Sequence, residues 1–429
     1  MYPIKPVHVI SLSRLKIVGI ILTGVLTYLV VSSFIAVSSD TILKTNTHTI
    51  KTTLDDESVK RFKLFKENLN SELQDYFQEA IEEGQIVGAG VSIVYGDSIL
   101  LSDGFGKRSI DKNTKIDGET IFRLGSLSKG FAGVLVASLQ EDGKLDWEDR
   151  VVEHLPNFQF GDSVNTRKIK LSHVLSHTTG TPYHSYTNLV EAGIPVEKIT
   201  ERFKDVEPLS NPGTIYSYQN AMFSLSQEVV KKVTGQEVNT LLKNRFFEPL
   251  GMTSVSMEHK DLVNAENVAL PHSRRKNGWH SLVLTDKYYN AVVAGGINAS
   301  SNDMAKWMRF LLGHRPKVLK SKTIEQVFNP FIEVNYNNKY YQRWPDHLKS
   351  HYGYGWRIHQ LKRKESQHEK TIWHHGGSVN NYRNEIALYP EDDLGICVLL
   401  NGNSRLAQTV IPDVYEIVAK VYSKTYQEY

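Results

Sequence analysis

Residues 121–130 read Ile-Phe-Arg-Leu-Gly-Ser-Leu-Ser-Lys-Gly, and they carry the most informative feature of the chain. Ser126 and Lys129 lie three residues apart, and an apolar, helix-like run follows at 131–139. Residues i and i+3 share one face of a helix, so the Lys129 amine can reach the Ser126 hydroxyl. A serine hydroxyl is a poor nucleophile that needs a nearby base, and a lysine with a lowered pKa can serve as that base. The stretch therefore predicts a nucleophile and its base at the start of a helix.

The Ser-x-x-Lys pattern has little weight by itself. It recurs at residues 13–16, and an ordinary serine at a helix start produces the same spacing. Two further motifs that follow in order along the chain give the pattern its meaning.

The second motif is Tyr218-Gln219-Asn220, which comes after the turn signal Pro212-Gly213 and opens an apolar helical stretch. A tyrosine beside a lysine can be held partly as phenolate and accept a proton. The Asn220 amide offers a donor and an acceptor for a substrate amide. The alternative interpretation is a buried tyrosine followed by a helix-capping asparagine.

The third motif lies in Thr-Ile-Trp-His-His-Gly-Gly at residues 371–377. Two strand-like runs follow it at 385–389 and 394–400, with a polar turn between them. A strand that ends in a cation and glycines can lay its backbone beside an acyl substrate. The alternative is a plain edge strand with surface histidines.

Together the three motifs resemble those of the class C β-lactamase-like serine hydrolase family, which includes penicillin-binding DD-peptidases and related esterases. That family carries Ser-x-x-Lys, Tyr-x-Asn and Lys/His-Thr/Ser-Gly in this order, and the third motif here is His374-His375-Gly376. The similarity covers roughly residues 60–425. It implies an α/β (α+β) fold, in which an antiparallel sheet flanked by helices joins a mainly helical lobe, as in β-lactamases and transpeptidases.

The resemblance also implies a role for each motif residue. Ser126 would form an acyl-enzyme, with Lys129 and Tyr218 sharing the role of base. Substrate would be bound by Asn220, by the Gly376 region of the strand, and by His374, whose charged form could hold a carboxylate. The backbone N–H groups of Ser126 and Gly377 would form the oxyanion hole.

A histidine at position 374 is similar to what DD-peptidases and esterases show where β-lactamases usually have lysine. The sequence therefore favours a D-alanyl peptidase or an esterase over a β-lactamase. The alternative from another class is a penicillin-binding sensor or scaffold, which would be acylated slowly and would not turn over.

Composition excludes several other classes of protein. The 429 residues contain 50 Lys and Arg against 47 Asp and Glu, and no basic cluster indicates a nucleic-acid partner. The single cysteine, Cys397, allows no internal disulfide. His173 and His177 have helical spacing but lack the glutamate of a zinc-binding motif, and the neighbours His374 and His375 point to opposite faces of a strand. We therefore expect no metal and no organic cofactor, with a small-molecule or peptide acyl substrate as partner.

The N-terminus predicts a membrane segment. Residues 17–37 carry no charge and are long enough to span a bilayer, which needs about 20 residues. Lys5, Arg14 and Lys16 precede them, which favours a cytoplasmic N-terminus. We expect residues 1–38 to be a single-pass anchor in the cell (inner) membrane, or a cleaved signal peptide, and 39–56 a linker. Residues 57–429 would be the hydrolase domain, in the periplasm or outside the cell.

Hydrophobic periodicity predicts the outline of the domain. Residues 57–83 form an amphipathic helix, and residues 90–95 and 98–102 form a hairpin around Gly96-Asp97. The strands of 371–400 would join this hairpin in one antiparallel sheet, residues 405–422 would form a closing helix, and 112–330 would supply mainly helices. The catalytic groups would then lie at the seam between sheet and helices.

Overall fold

An eight-stranded antiparallel sheet is the frame that positions the other elements. The computed structural model describes residues 56–335, 339–362 and 369–426. In chain order the strands are β1 (Gly88–Tyr95), β2 (Ser98–Gly106), β3 (Phe122–Arg123), β4 (His272–Arg275), β5 (Gly278–Ser281), β6 (Asn298–Ala299), β7 (Ile332–Glu333), β8 (His347–Tyr352), β9 (Arg357–Leu361), β10 (Lys370–Val379), β11 (Tyr382–Tyr389) and β12 (Leu394–Leu400). The large sheet has the order β2-β1-β12-β11-β10-β9-β8-β7, and β3–β6 and β4–β5 are separate pairs.

Helices precede, interrupt and follow the strands. They are α1 (56–82), α2 (Ser128–Glu141), α3 (Val151–His154), α4 (Ser163–Lys168), α5 (Leu171–Leu175), α6 (Thr187–Glu191), α7 (Val196–Thr200), α8 (Ala221–Thr234), α9 (Val238–Leu242), α10 (Glu248–Leu250), α11 (His259–Asn264), α12 (Val292–Gly295), α13 (Ser301–Leu311), α14 (Ser321–Glu325) and α15 (Val410–Tyr426). Residues 56–65 and 425–426 belong to a small unit in which Phe65 packs against Tyr426, and Lys66–Lys424 form the large unit that holds the site.

The central strands are apolar along their whole length because both faces of the sheet are covered. Every residue of β12 is buried. On one face Phe77 of α1 stacks on Phe105, and Tyr415 of α15 stacks on Tyr389. On the other face α13 lies so close to Gly395 that a Cβ there would come 3.1 Å from Met308 Cβ. Strands buried on two faces lose the alternation of apolar and polar residues, which explains their continuous hydrophobic runs.

Helix α2 is buried around almost its whole circumference, from Ser128 to Leu139. A helix that is apolar all round belongs in a protein core. Phe131 stacks on Trp307 with ring centroids 4.1 Å apart, and a Cβ on Gly130 would come 2.6 Å from the Trp356 ring. The start of α2 is therefore held from several sides, which fixes the residues just before it.

The predicted fold class and its main elements are confirmed. The hairpin is β1–β2, and it joins the C-terminal strands through β1 and β12 in antiparallel register. The first helix and the closing helix α15 are present, and residues 112–330 supply α2 to α14.

The predicted anchor at 1–38 lies outside the described residues, and so does the predicted linker, except for Asp56, which is already helical. The division into anchor, linker and hydrolase domain stays a prediction. Within the three described ranges, no helix has the length and apolar character that crossing a membrane requires.

Candidate active site

Ser126 stands in a short 3-10 turn, Gly125–Leu127, that leads directly into α2. Gly125 has φ +57°, and a Cβ there would come 2.8 Å from the backbone nitrogen of Ser378 on β10. Glycine is needed at this point because the backbone is left-handed and a strand passes close by. The half-buried Ser126 hydroxyl is thereby set where the buried helix meets the end of β10.

Lys129 is fully buried, and its amine joins the first two motifs. Nζ lies 3.2 Å from Ser126 Oγ, 2.8 Å from Asn220 Oδ1 and 2.8 Å from the carbonyl oxygen of Ala294. Burial lowers the pKa of Lys129 well below its usual range, and the positive charge of Arg357 lowers it further. The neutral amine, which can accept a proton, is therefore a larger fraction of Lys129 than of a solvent-exposed lysine.

Tyr218 contacts the same hydroxyl from another side, donating to Ser126 Oγ at 2.8 Å. Burial raises the pKa of Tyr218 to about 12, outweighing the opposite effects of Arg357 and of the bond to Ser126. The tyrosine is thus a neutral phenol at physiological pH. From the sequence, Lys129 and Tyr218 were expected to share the role of base. Their surroundings lower the pKa of Lys129, whereas they raise the pKa of Tyr218, which keeps its proton.

Asn220 has both ends of its amide engaged. Oδ1 accepts from Lys129, and Nδ2 donates to the Tyr288 hydroxyl at 3.0 Å. Asn220 still lines the cavity beside Ser126, but in this structure its partners are protein groups. The amide holds the lysine amine in place, which is a role additional to the predicted contact with substrate.

The hairpin between β10 and β11 determines which backbone groups of the third motif face Ser126. Its turn consists of Asn380 and Asn381, with φ +46° and +65°, and Val379 pairs with Tyr382. In such a two-residue hairpin the flanking pair exchanges both hydrogen bonds, and hydrogen-bonded pairs then alternate along the ladder. The N–H of Gly377 therefore points to β11, whereas that of Ser378 points to the opposite edge.

That opposite edge is open beside Ser126, because β9 ends its pairing with β10 at Arg357 and His374. The Ser378 backbone lies against Gly125 there. The Cα of Gly377 instead packs against the turn before α2, where a Cβ would overlap the carbonyl oxygen of Leu124. The predicted oxyanion donor Gly377 does not fit this geometry, whereas the N–H of Ser378 has the direction that such a donor would need.

The two histidines of the third motif lie on opposite faces of β10, and the position of His374 differs from the expected one. His374 is fully buried, with Glu385 Oε2 2.8 Å from Nε2 and His359 Nε2 2.9 Å from Nδ1. Burial lowers its pKa well below the usual range, with Arg357 and Arg383 adding to the effect. The expected contact of a charged His374 with substrate does not fit this position.

His375, one residue later, is on the face towards Tyr218, with ring centroids 6.4 Å apart. Its Nε2 lies 2.9 Å from the hydroxyl of Tyr352. A register error of one residue moves every side chain of a strand to the other face. The motif is therefore better aligned as His375-Gly376-Gly377.

A cavity of about 480 Å³ opens in front of Ser126. Gly376 and Ser378 of β10 form part of its wall, as predicted for Gly376. The remaining wall is mostly aromatic or charged and consists of Tyr183, His184, Thr187, Glu191, Tyr216, Tyr218, Asn220, Tyr288, Ala294, Gly295, Lys339, Tyr340, Tyr341, Arg357, Val379 and Arg383.

Two arginines of this wall were not predicted from the sequence. Arg357 at the start of β9 has its Nε and Nη1 buried with no hydrogen-bond partner among the described residues, and its guanidinium lies 5.2 Å from the centre of the Tyr341 ring. Arg383 on β11 pairs with Glu385, Nη2 to Oε1, at 2.9 Å. A guanidinium group in a cavity wall is suited to bind a carboxylate. Within the part of the chain described here, no cluster of three or more His, Cys, Asp or Glu is arranged to hold a metal ion.

Comparison with known proteins finds a family model and distant relatives. The family model described as Beta-lactamase matches residues 73–418. Protein flp of Staphylococcus aureus (strain NCTC 8325 / PS 47) is 22% identical over 346 residues, covering 79% of this chain and 64% of that protein. The chain thus matches less than two thirds of the length of this relative.

Two solved structures show the same fold. EstCE1, described as a hydrolase with promiscuous acyltransferase activity, superposes with a TM-score of 0.69 at 19% identity over 82% of this chain and 99% of its own. A D-stereospecific amidohydrolase from Streptomyces sp. gives a TM-score of 0.64 at 22% identity, covering 80% and 97%. At these identities the likeness establishes the fold alone.

Proposed function

The chain belongs to the beta-lactamase family, and on that premise we propose that it is a serine hydrolase that cleaves an amide or ester bond through an acyl-enzyme on Ser126. The observation that carries the proposal is the Ser126 hydroxyl, contacted at once by a buried lysine amine and a tyrosine hydroxyl. The same three residue types stand in the order that the resemblance implies.

Each proton has a defined donor and acceptor in this arrangement. The neutral amine of Lys129 accepts the Ser126 proton as Oγ attacks the acyl carbon. The Tyr218 hydroxyl, within reach of Ser126 Oγ, donates its proton to the leaving nitrogen or oxygen and is reprotonated from Lys129. In the second step a water replaces the leaving group and gives a proton to the same pair. Its oxygen bonds to the acyl carbon, the bond from that carbon to Ser126 Oγ breaks, and the pair returns the proton to Ser126 Oγ.

The negative charge on the acyl oxygen is stabilised by the backbone N–H groups of Ser126 and Ser378. Both belong to fixed elements, the start of α2 and the open edge of β10. Loss of one such donor typically costs about 2.7–4 kcal/mol of transition-state stabilisation.

The two arginines favour a substrate that carries a carboxylate close to the scissile bond. Arg357 and Arg383 both line the cavity and give its wall two positive charges. A peptide that ends in D-alanine presents such a group, and so does an ester of a dicarboxylic acid. A β-lactam carries such a carboxylate as well, so our preference for a D-alanyl peptidase or an esterase over a β-lactamase rests on the histidine of the third motif.

The cellular location belongs to the proposal as well. The uncharged segment at 17–37 would anchor the chain in the cell membrane and place the hydrolase domain outside the cytoplasm. Alkaline carbonate extraction of membranes, together with protease treatment of intact cells, tests both points. Release into the soluble fraction, or complete protection from protease, would contradict this location.

Steady-state hydrolysis of a nitrophenyl ester by the full chain tests the reaction. We expect turnover that is lost in Ser126→Ala and kept in Ser163→Ala, a matched change at an exposed serine. A single burst of one equivalent without turnover would instead favour the sensor interpretation. Activity that survives in Ser126→Ala would show that another residue is the nucleophile.

A further inference from the structure

Glu385 is a buried carboxylate that lies directly behind the cavity wall. Only 1% of its side chain is exposed. A Cβ on Gly376 would come 2.9 Å from Glu385 Oε2 and 2.6 Å from the Tyr340 hydroxyl, so the carboxylate packs against a glycine that lines the cavity. No step of the proposed reaction uses this group, although a buried carboxylate is costly to keep.

Glu385 holds one of the two arginines of the wall. Arg383 Nη2 lies 2.9 Å from Oε1, and the guanidinium stacks over the Tyr340 ring at 5.1 Å. Tyr340 itself donates to Oε2 at 2.7 Å. The charge that Arg383 presents to the cavity therefore depends on whether the carboxylate beside it is ionised.

A row of hydrogen bonds runs from Glu385 across three strands. His374 Nε2 lies 2.8 Å from Glu385, His359 Nε2 lies 2.9 Å from His374 Nδ1, and Ser350 Oγ lies 2.8 Å from His359 Nδ1. His347 ends the row, with Nε2 2.7 Å from Ser350 Oγ, and it is half-buried. Burial lowers the pKa of both His359 and His374 well below its usual range, and with both rings neutral an ionised Glu385, which only accepts, requires each of them to donate towards it.

Burial makes the carboxylate titrate near neutrality. It raises the pKa of Glu385 to about 7, against the opposing effects of Arg383, the Tyr340 hydroxyl and Arg357. The titratable and charged groups that face it are Arg383 on β11, His374 on β10, Arg357 on β9, Tyr340 on the turn before β8 and Cys397 on β12. Since Glu385 and His374 share one hydrogen bond, they bind a proton as a pair.

We propose that Glu385 is a specificity-determining residue, which sets how strongly the cavity attracts a substrate carboxylate by controlling the net charge beside Arg383. When Glu385 is ionised and His374 is neutral, the carboxylate neutralises Arg383. With one proton on the pair, Arg383 is left as an uncompensated cation that can bind an anion. The choice of a carboxylate ligand rests on the proposed function. The effect of Glu385 on Arg383 rests on the contacts between these two side chains.

Linkage gives the sign of the effect. A ligand carboxylate stays ionised above about pH 5. Its binding favours the protonated pair, so binding takes up a proton near neutral pH. The affinity for the ligand carboxylate should then rise as the pH falls through the range in which the Glu385–His374 pair titrates. By reciprocity, the protonated pair raises ligand affinity by the same factor by which the ligand raises the proton affinity of the pair.

Calorimetry on the full-length Ser126→Ala protein tests this without relying on turnover. N-acetyl-D-alanyl-D-alanine is titrated at several pH values, in buffers of different ionisation enthalpy, so that proton uptake is measured directly. We expect a roughly tenfold gain in affinity from pH 8 to pH 6, with uptake of a fraction of one proton at pH 7. Adding Glu385→Gln should abolish both, whereas Glu333→Gln, an exposed carboxylate on β7, should change neither.

A second variant keeps the test valid where Glu385→Gln fails to fold. Tyr340→Phe removes a donor that favours the ionised carboxylate, so proton uptake should move to higher pH. Binding without proton uptake, uptake that persists in Glu385→Gln, or no binding of the dipeptide would each overturn the proposal. Absence of nitrophenyl ester turnover in the parent protein would overturn the proposed reaction instead, and proton uptake on dipeptide binding would still support the role of Glu385.

Discussion

The surroundings of Lys129 suit both of its protonation states. A charged ammonium has three N–H donors, and three acceptors surround Nζ: Ser126 Oγ, Asn220 Oδ1 and the Ala294 carbonyl. A neutral amine has two donors and a lone pair, and the lone pair can then accept from the Ser126 hydroxyl. No side chain has to move when the proton transfers, which is the condition that a general base must meet.

The pH dependence of hydrolysis follows from this residue. Because Lys129 acts in its neutral form, kcat/KM should rise with pH through the lowered pKa of Lys129, well below the usual value of about 10.4. Tyr218→Phe should keep this acid limb while losing roughly 10²–10⁴ in rate, since it removes the proton donor and not the base. A pH–rate profile of both proteins is the measurement. Loss of the limb in Tyr218→Phe would assign the base to the tyrosine.

At the scale of elements, strand β10 shows where sequence reasoning succeeds and where it stops. The run of residues 371–379 identifies a strand, and its glycines and histidines identify the site. The face that each residue presents is set by the pairing with β11 and by the turn at Asn380 and Asn381. Two adjacent histidines make neighbouring registers look alike, so the sequence could not show which one faces Tyr218.

Arg357 and Glu385 were missed for a related reason. Each is a single charged residue within a strand, and nothing in its local pattern separates it from a solvent-facing residue. Their roles arise when β9, β10 and β11 pair and bring them behind one cavity wall. Tyr340 and Tyr341 come from the turn before β8, and both residues line the cavity.

The contact between β10 and the turn before α2 makes a prediction at this scale. In Gly377→Ala the added Cβ would overlap the Leu124 carbonyl and lie 3.2 Å from the Leu127 nitrogen, so backbone would have to shift. The Ser126 and Ser378 N–H groups would then separate, and a misplacement of about 1 Å can cost roughly 10² in rate. We expect kcat to fall by about that factor, with about 1–3 kcal/mol of stability lost to overpacking.

Gly235→Ala is the matched control for that variant. Gly235 ends α8 with φ +68° and has nothing within 4 Å of the added Cβ, so the change costs stability of roughly 1 kcal/mol without touching the site. Thermal unfolding and kcat are measured for both proteins. An equal loss of kcat in the two variants would show that stability, and not the alignment of β10 with Ser126, is responsible.

At the scale of the whole molecule, residues far apart in sequence reach one cavity because the two ends of the chain build the sheet and the middle builds the helices. The order of the three motifs therefore predicts the fold class and the central residues Ser126, Lys129, Tyr218 and Asn220. The packing of the sheet against the helices also buries titratable side chains. Among the buried histidines, burial lowers the pKa of His177, His359, His374 and His375 well below its usual range.

These histidines make the folded state sensitive to acid. They stay neutral in the fold but bind protons in the unfolded chain below about pH 6.5, so stability falls as the pH drops through that value. Glu385 acts in the opposite direction, since its pKa of about 7 lets the folded state hold one more proton. The buried histidines outnumber this one carboxylate, so the free energy of unfolding should fall as the pH drops below about 6.5. Urea unfolding at pH 7, 6 and 5 measures how the free energy of unfolding depends on pH. His177→Phe, whose ring can pack on Tyr218, should reduce this dependence by about one proton. An unchanged dependence would mean that His177 is not held neutral by the fold.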